Sequence, residues 1–142
     1  MNKHGEVILI VDDEKLVRRL LVSALSGAGY TCLEAANAEE ALKQLKNTQV
    51  SVVLLDIIMP GKSGIELLNE IIAAHPDTAP IMISAASSSD ITITCMKQGA
   101  YDYIIKPFNT NEVLLRIEYA LVKRIVHRPG RRSILQFFSL MS

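Results

Sequence analysis

Five short apolar runs recur along this chain at near-regular intervals: Val7–Val11, Thr31–Ala35, Val50–Leu55, Ile81–Ser84 and Tyr103–Ile105. They are continuous rather than alternating, which suits strands covered on both faces, as in a parallel sheet. Parallel strands need long crossover connections, and helix-like stretches follow each run. Glu14–Ser26 sets Leu16, Leu20, Val17, Leu21 and Ala24 on one side before Gly27 and Gly29. Asn37 stands as an N-cap before Ala38–Lys46, with Glu39 and Glu40 in the first turn. Gly64–Ala74 stops before His75-Pro76, and Ser88–Gln98 stops at Gly99. Asn109 or Thr110 opens a last helix with Val113, Leu114, Ile117, Leu121 and Ile125 on an apolar stripe. Glu112 stands three residues after Asn109, the spacing of a capping box.

This alternation predicts an α/β fold, a doubly wound five-stranded parallel sheet with helices on both faces and right-handed crossovers. The 142 residues suffice for one domain with a full core. About half are apolar (49%) and 21% charged, which excludes a disordered chain. Acidic and basic residues number 15 each, so no overall field favours nucleic acid or a membrane surface. Cys32 and Cys95 match neither a CxxC motif nor a metal site and read as small apolar fillers. No apolar stretch approaches the ~20 residues of a membrane span, and the chain reads as cytoplasmic. Residues 1–126 are expected to form the domain. His127–Arg132 reads as a basic linker and Ser133–Ser142 as an apolar tail, with no complete output domain in 127–142.

Ligands of doubly wound sheets bind beyond the carboxyl ends of the strands, so the residues after each run matter most. Asp12, Asp13 and Glu14 follow the first, Asp56 the third, and Lys106-Pro107 the fifth, while Ser84 ends the fourth. Singly, each has a bland role: a helix cap, a turn residue, the start of a serine-rich turn, a solvated lysine. Together they gather three carboxylates, a hydroxyl and an ammonium at one edge. Clustered carboxylates repel unless a cation sits among them or some are protonated, and hard oxygen ligands favour Mg²⁺, or Mn²⁺ in its place. Asp56 then has the chemistry of a nucleophile toward phosphorus, with Lys106 as a clamp on a phosphoryl oxygen. Two glycine-containing stretches mimic nucleotide sites. Gly61-Lys62-Ser63 ends like a P-loop, but Asp56 stands where that loop needs its first glycine. Gly27-Ala28-Gly29 precedes a strand instead of following one.

The acidic pair Asp12-Asp13, Asp56 in LLDIIMPGKSG, Ser84-Ala85 and Lys106-Pro107-Phe108 in GAYDYIIKPF carry a family likeness. Over about residues 5–126 the chain resembles a bacterial response-regulator receiver domain with a flavodoxin-like (βα)5 fold, the phosphoacceptor half of two-component signalling. The resemblance implies that Asp12, Asp13, Asp56 and the Ile58 carbonyl hold Mg²⁺, and that Asp56 accepts a phosphoryl group from a sensor histidine kinase or a phosphotransfer protein. It implies that Ser84 reorients toward that group, that Tyr103 turns inward with it, and that Lys106 binds it beside a cis Lys106-Pro107 peptide. Such a domain is a signalling phosphoacceptor, acting only on its own phosphorylation and dephosphorylation. GAYDYIIKPF looks most like receivers joined to ATPase-type transcriptional activators, although this domain is not expected to bind nucleic acid or membrane itself. Glu112, Arg116, Glu118, Lys123 and Arg124 on the last helix, with Asp102, suggest a homodimer through the fourth helix, last strand and last helix. Asp102, Arg116 and Lys123 resemble part of the charge set of family dimers, and Thr92 and Gln98 depart from it. Two rivals remain: a receiver-like interaction module working without phosphorylation, and a haloacid-dehalogenase-type phosphatase. The latter needs a second aspartate two residues after its nucleophile, where Glu14 follows Asp12.

Overall fold

The structure, a computed structural model, describes residues 5–127. Strands β1 (Val7–Val11), β2 (Thr31–Ala35), β3 (Val52–Leu55), β4 (Ala79–Ser84) and β5 (Asp102–Ile105) form one parallel sheet in the order β2-β1-β3-β4-β5. Helices α1 (Lys15–Gly27), α2 (Ala38–Asn47), α3 (Gly64–Ala74), α4 (Ser89–Gln98) and α5 (Thr110–His127) alternate with them. This is the expected doubly wound architecture. The chain reverses its direction of travel across the sheet between β1 and β3, which makes their carboxyl ends the switch point.

The continuous apolar runs have a plain cause. Leu9, Val11, Val53, Leu55 and Met82 pack one face of the sheet against Ala41, Leu45, Leu67, Ile71 and Cys95 of α2, α3 and α4. Their neighbours Ile8, Ile10, Val52, Leu54, Ile81 and Ile83 pack the other face against Leu21 and Leu25 of α1 and Val113, Ile117 and Leu121 of α5. Successive side chains point to opposite faces, so a sheet buried twice needs apolar residues at every step. Burying each large side chain contributes about 1.5–3 kcal/mol.

The boundaries depart from the sequence reading in instructive places. β3 begins at Val52, not Val50, although Val50 is buried and the Ser51 N–H already reaches the Val7 carbonyl at 2.8 Å. β4 begins two residues before Ile81, with Pro80 inside it; proline lacks the donor that marks a ladder residue. β5 begins one residue earlier than expected, at Asp102. In α1 the expected apolar side is partly wrong: Leu16 is 85% and Leu20 53% exposed, while Leu21 and Leu25 are buried. Leu16 and Leu21 are five residues apart, about 140° round a helix, and cannot share one narrow stripe.

At the helix starts, Asn37 accepts the Glu40 N–H at 2.9 Å, Ser63 that of Glu66 at 3.3 Å and Ser88 that of Ile91 at 3.2 Å. The capping box at α5 takes a different form. Asn109 accepts the N–H of Asn111 at 2.8 Å, and Glu112 turns to Arg116 at 3.4 Å. Ile125 lies at the rim of its stripe, 39% exposed. Arg124, read as part of a charged outer face, is buried and pairs with Glu6 at 3.4 Å. α5 runs through His127, one residue past the expected boundary at 126; the rest of the linker and tail reading lies outside the described residues. Among the described residues no helix is long and apolar enough to cross a membrane.

Gly64 opens α3 directly under the end of β3. Its N–H donates to the Ile57 carbonyl at 3.0 Å, and a Cβ there would lie 2.0 Å from the Asp56 carbonyl oxygen. Gly64→Ala therefore forces the Asp56–Ile57 backbone to move, and should cost roughly 1–3 kcal/mol, as overpacking does. An unchanged urea midpoint in this variant would contradict so close an approach. Leu21→Ala should lose about 2–5 kcal/mol, whereas Leu16→Ser should change stability by no more than about 0.5 kcal/mol. Equal losses from the two, measured by urea unfolding, would mean that Leu16 is buried after all.

Candidate functional site

The sheet's hydrogen bonding continues for one residue past three strands and delivers the polar residues to one edge. The Asp12 N–H donates to the Ala35 carbonyl and the Asp56 N–H to that of Val11, both at 3.1 Å; the Lys106 N–H donates to that of Ser84 at 2.9 Å. The backbone beneath each group is thus as well held as the strands themselves.

Asp12 and Asp56 are buried, at 3% and 5% exposure. The Lys106 ammonium lies between them, 2.7 Å from Asp12 Oδ2 and 2.8 Å from Asp56 Oδ2, with Glu14 Oε1 at 3.9 Å. The other carboxylate oxygens turn to backbone: Asp12 Oδ1 accepts the Glu14 N–H at 2.9 Å and Asp56 Oδ1 the Ile58 N–H at 3.1 Å. Burial raises the Asp12 pKa above the usual carboxylate value, and the bonds to Lys106 and the Glu14 N–H offset this only in part. Burial pulls Lys106 down, but its bonds to Asp12 and Asp56 outweigh that and hold the ammonium above its ordinary value. Lys106 therefore carries its charge. The peptide joining it to Pro107 is cis.

Asp13 completes the cluster from the solvent side. It is exposed, and one carboxylate oxygen from each of Asp12, Asp13 and Asp56 lies within 4.8 Å of the others. Three hard oxygen donors, open to water through Asp13, fit Mg²⁺ or Mn²⁺ with water in the remaining positions. Ile58 reaches the site through its N–H on Asp56, and its side chain is 62% exposed at the rim.

Ser84 is fully buried, and its Oγ accepts the Ala86 N–H at 3.3 Å. The Tyr103 hydroxyl donates to the Ala86 carbonyl, and its half-buried ring packs on the α2–α3–α4 side of the core. Burial raises the Tyr103 pKa, so the phenol keeps its proton. One short segment after β4 therefore ties Ser84 and Tyr103 together. On the outer face Asp102 pairs with Arg116 at 2.8 Å within the same chain. Arg124 is turned inward, so two of the basic residues expected to face a second copy have partners of their own.

Sequence reasoning passed over two residues that shape this edge. Gly64 was read only as a helix start. Arg18 was not read at all, although its NH1 donates to the Asp12 carbonyl at 2.7 Å and its Nε to Glu34 Oε1 at 3.1 Å. Nothing in the one-dimensional pattern sets this arginine apart from Arg19.

The family model for the response regulator receiver domain matches residues 8–118. The DNA-binding transcriptional regulator NtrC of Escherichia coli (strain K12) is 38% identical over 115 residues, covering 81% of this chain. The chain spans only 24% of that relative's length. Among solved structures, a CheY-like receiver domain from Methanospirillum hungatei JF-1 superposes with a TM-score of 0.80 at 31% identity, covering 84% of this chain and 95% of that one. The CheX-CheY-BeF3-Mg+2 complex from Borrelia burgdorferi matches at 0.78 and 32%, covering 82% and 89%. With the five-stranded parallel sheet and the acidic cluster at its carboxyl edge, these likenesses make the chain a member of the response regulator receiver domain family of two-component systems.

Proposed function

We propose that this chain accepts a phosphoryl group on Asp56 in a Mg²⁺-dependent step and changes conformation to control a downstream output. The donor is a sensor histidine kinase or a phosphotransfer protein. The observation that carries this reading is the Lys106 ammonium held at 2.7 and 2.8 Å between two buried carboxylates, with Asp13 beside them. A buried charged trio at a strand edge is costly to maintain for stability alone. It suits a site that receives a dianionic group.

In the transfer, an Asp56 carboxylate oxygen forms the bond to phosphorus as the phosphorus–nitrogen bond of a phosphohistidine breaks, its electron pair staying on the imidazole. The Ile58 N–H orients Asp56 through Oδ1, and Lys106 exchanges its contact with Oδ2 for a phosphoryl oxygen. Mg²⁺ or Mn²⁺, held by Asp12, Asp13, Asp56 and the Ile58 carbonyl, would offset charge on the phosphoryl oxygens. The Borrelia neighbour, described with BeF3 and Mg+2, supports the same pairing of ligands here. The phosphatase alternative has less support, since Glu14, where it needs an aspartate, is 66% exposed and offers Asp12 only its N–H.

Incubation with acetyl phosphate and Mg²⁺ should give one phosphoryl adduct by intact mass, and Asp56→Asn should give none. An equal yield on the variant would overturn the assignment. An absence of adduct on wild type with every donor would instead favour an interaction module independent of phosphorylation.

The switch runs through Lys106, Ser84 and Tyr103. Drawing Ser84 Oγ toward a phosphoryl group breaks its bond to the Ala86 N–H and disturbs the carbonyl that holds Tyr103. The face made by α4, β5 and α5 then reports the change, either to an output segment or to a second copy of the chain. In this reading residues 1–126 are the receiver, and the protein works in the cytoplasm. Beryllofluoride should shift the Ser84 and Tyr103 resonances of wild type and promote a dimer in sedimentation. Lys106→Ala should still form some adduct on Asp56 but lose both responses. Identical shifts in the two proteins would remove Lys106 from the switch, and a monomer in every condition would remove the homodimer.

A further inference from the structure

The three carboxylates of the cluster are not held alike. Asp12 is fixed by Lys106 and the Glu14 N–H, and Asp56 by Lys106 and the Ile58 N–H. Asp13 lies within reach of both, yet among the described residues no side-chain hydrogen bond positions it. Its direction is therefore set by its backbone, and above all by the Asp12–Asp13 peptide. That peptide is gripped from outside the site. Arg18 NH1 donates to the Asp12 carbonyl at 2.7 Å, and Arg18 Nε is bound at 3.1 Å by Glu34, whose other oxygen lies 3.5 Å from Arg19. Glu34 sits on β2 opposite Ile10 of β1, two residues before Asp12, so the grip is anchored in the sheet. The N-cap of α1, Glu14, makes no side-chain cap bond, and the turn is held by the Glu14 N–H on Asp12 Oδ1 from within and by Arg18 on the Asp12 carbonyl from outside.

We propose that Arg18 and Glu34 form a bracket that positions Asp13 for the divalent cation, making both of them positioning residues of the site. The inference rests on the metal-assisted reading above. Arg18 is a cation on the rim of an acidic cluster, and only 14% of its side chain is exposed. Glu34 balances its charge and directs its planar fork to the carbonyl rather than to the carboxylates, so Arg18 holds the turn without competing for them. A lysine carries all its donors on one nitrogen and lacks the two separated nitrogens, Nε and NH1, that reach Glu34 and the Asp12 carbonyl here.

The bracket makes a prediction opposite in sign to simple electrostatics. Removing a positive charge beside three carboxylates should tighten cation binding by Coulomb attraction. Releasing Asp13 should weaken it. We expect Arg18→Ala to raise the Mg²⁺ dissociation constant about three- to tenfold, the effect of many outer-shell partners being larger still. Glu34→Gln should weaken binding in the same direction, the double variant should be no worse than the weaker single, and Arg18→Lys should fail to restore affinity.

The measurement is an NMR titration of the full chain with Mg²⁺ alone, following the backbone amides of Asp13 and Asp56, with unfolding midpoints recorded for each variant. Arg18→Gln keeps a long polar side chain, loses the same charge, and serves if Arg18→Ala does not fold. Asp13→Ala separates the two levels of the argument. If it abolishes the response while Arg18→Ala and Glu34→Gln bind like wild type, or if Arg18→Ala binds more tightly, the bracket is wrong and the metal site stands. If Asp13→Ala itself binds Mg²⁺ like wild type, the site reading fails, and the bracket with it. A lowered midpoint with unchanged affinity would reduce Arg18 to a structural tie and also overturn the proposal.

Discussion

Everything distinctive about this molecule depends on one ammonium lying between two buried carboxylates. Asp12 and Asp56 have side chains only 5% and 6% exposed, and the Lys106 side chain is 14% exposed. Deprived of Lys106, the two acids would face one another with little water to screen them. Leaving one member of such a buried group unpaired costs about 3–5 kcal/mol. On the proposed reading, a cation or a dianion entering there redistributes these contacts.

Placing these groups together requires the sheet. β5 lies two strand positions from β3 and three from β1, and neighbouring strands are about 4.8 Å apart. A long unbranched side chain leaving the end of β5 can lean across the sheet edge to both aspartates, whereas a short one could not. The burial of both sheet faces excludes water beneath the cluster, and the continued ladder at Asp12, Asp56 and Lys106 holds their backbones. Apolar packing thus acts on function indirectly, by making the charged edge both rigid and poorly screened.

Smaller restraints then set the geometry. Gly64 lets α3 start against the Asp56 carbonyl, where any side chain would collide with it. Ala86 offers its N–H to Ser84 and its carbonyl to Tyr103, joining a buried hydroxyl to an aromatic ring near the outer face. Arg18 and Glu34 hold the Asp12 carbonyl from the opposite flank. Leu16 and Leu20 turn outward, and α1 is anchored by the stripe of Val17, Leu21, Val22, Leu25 and Ala28 together with these polar ties.

The order of elements, the double burial of the sheet and the polar residues at the strand ends were all legible in the sequence. Each follows from local pattern: continuous apolar runs, the cap at Asn37, and chemistry concentrated after apolar segments. The gathering of Asp12, Asp13, Asp56, Ser84 and Lys106 at one edge needed only the rule for ligands in parallel sheets. What tertiary structure alone decided were the choices between equivalent local options. The sequence does not distinguish Leu16 from Leu21, because a helix's inner face is defined only once it has docked. Nor does it distinguish Arg18 from Arg19, or Arg124 from Lys123, because a cation takes its role from the oxygen that lies within reach. Those oxygens, on Asp12, Glu34 and Glu6, come from 6, 16 and 118 residues away along the chain, and only folding brings them near.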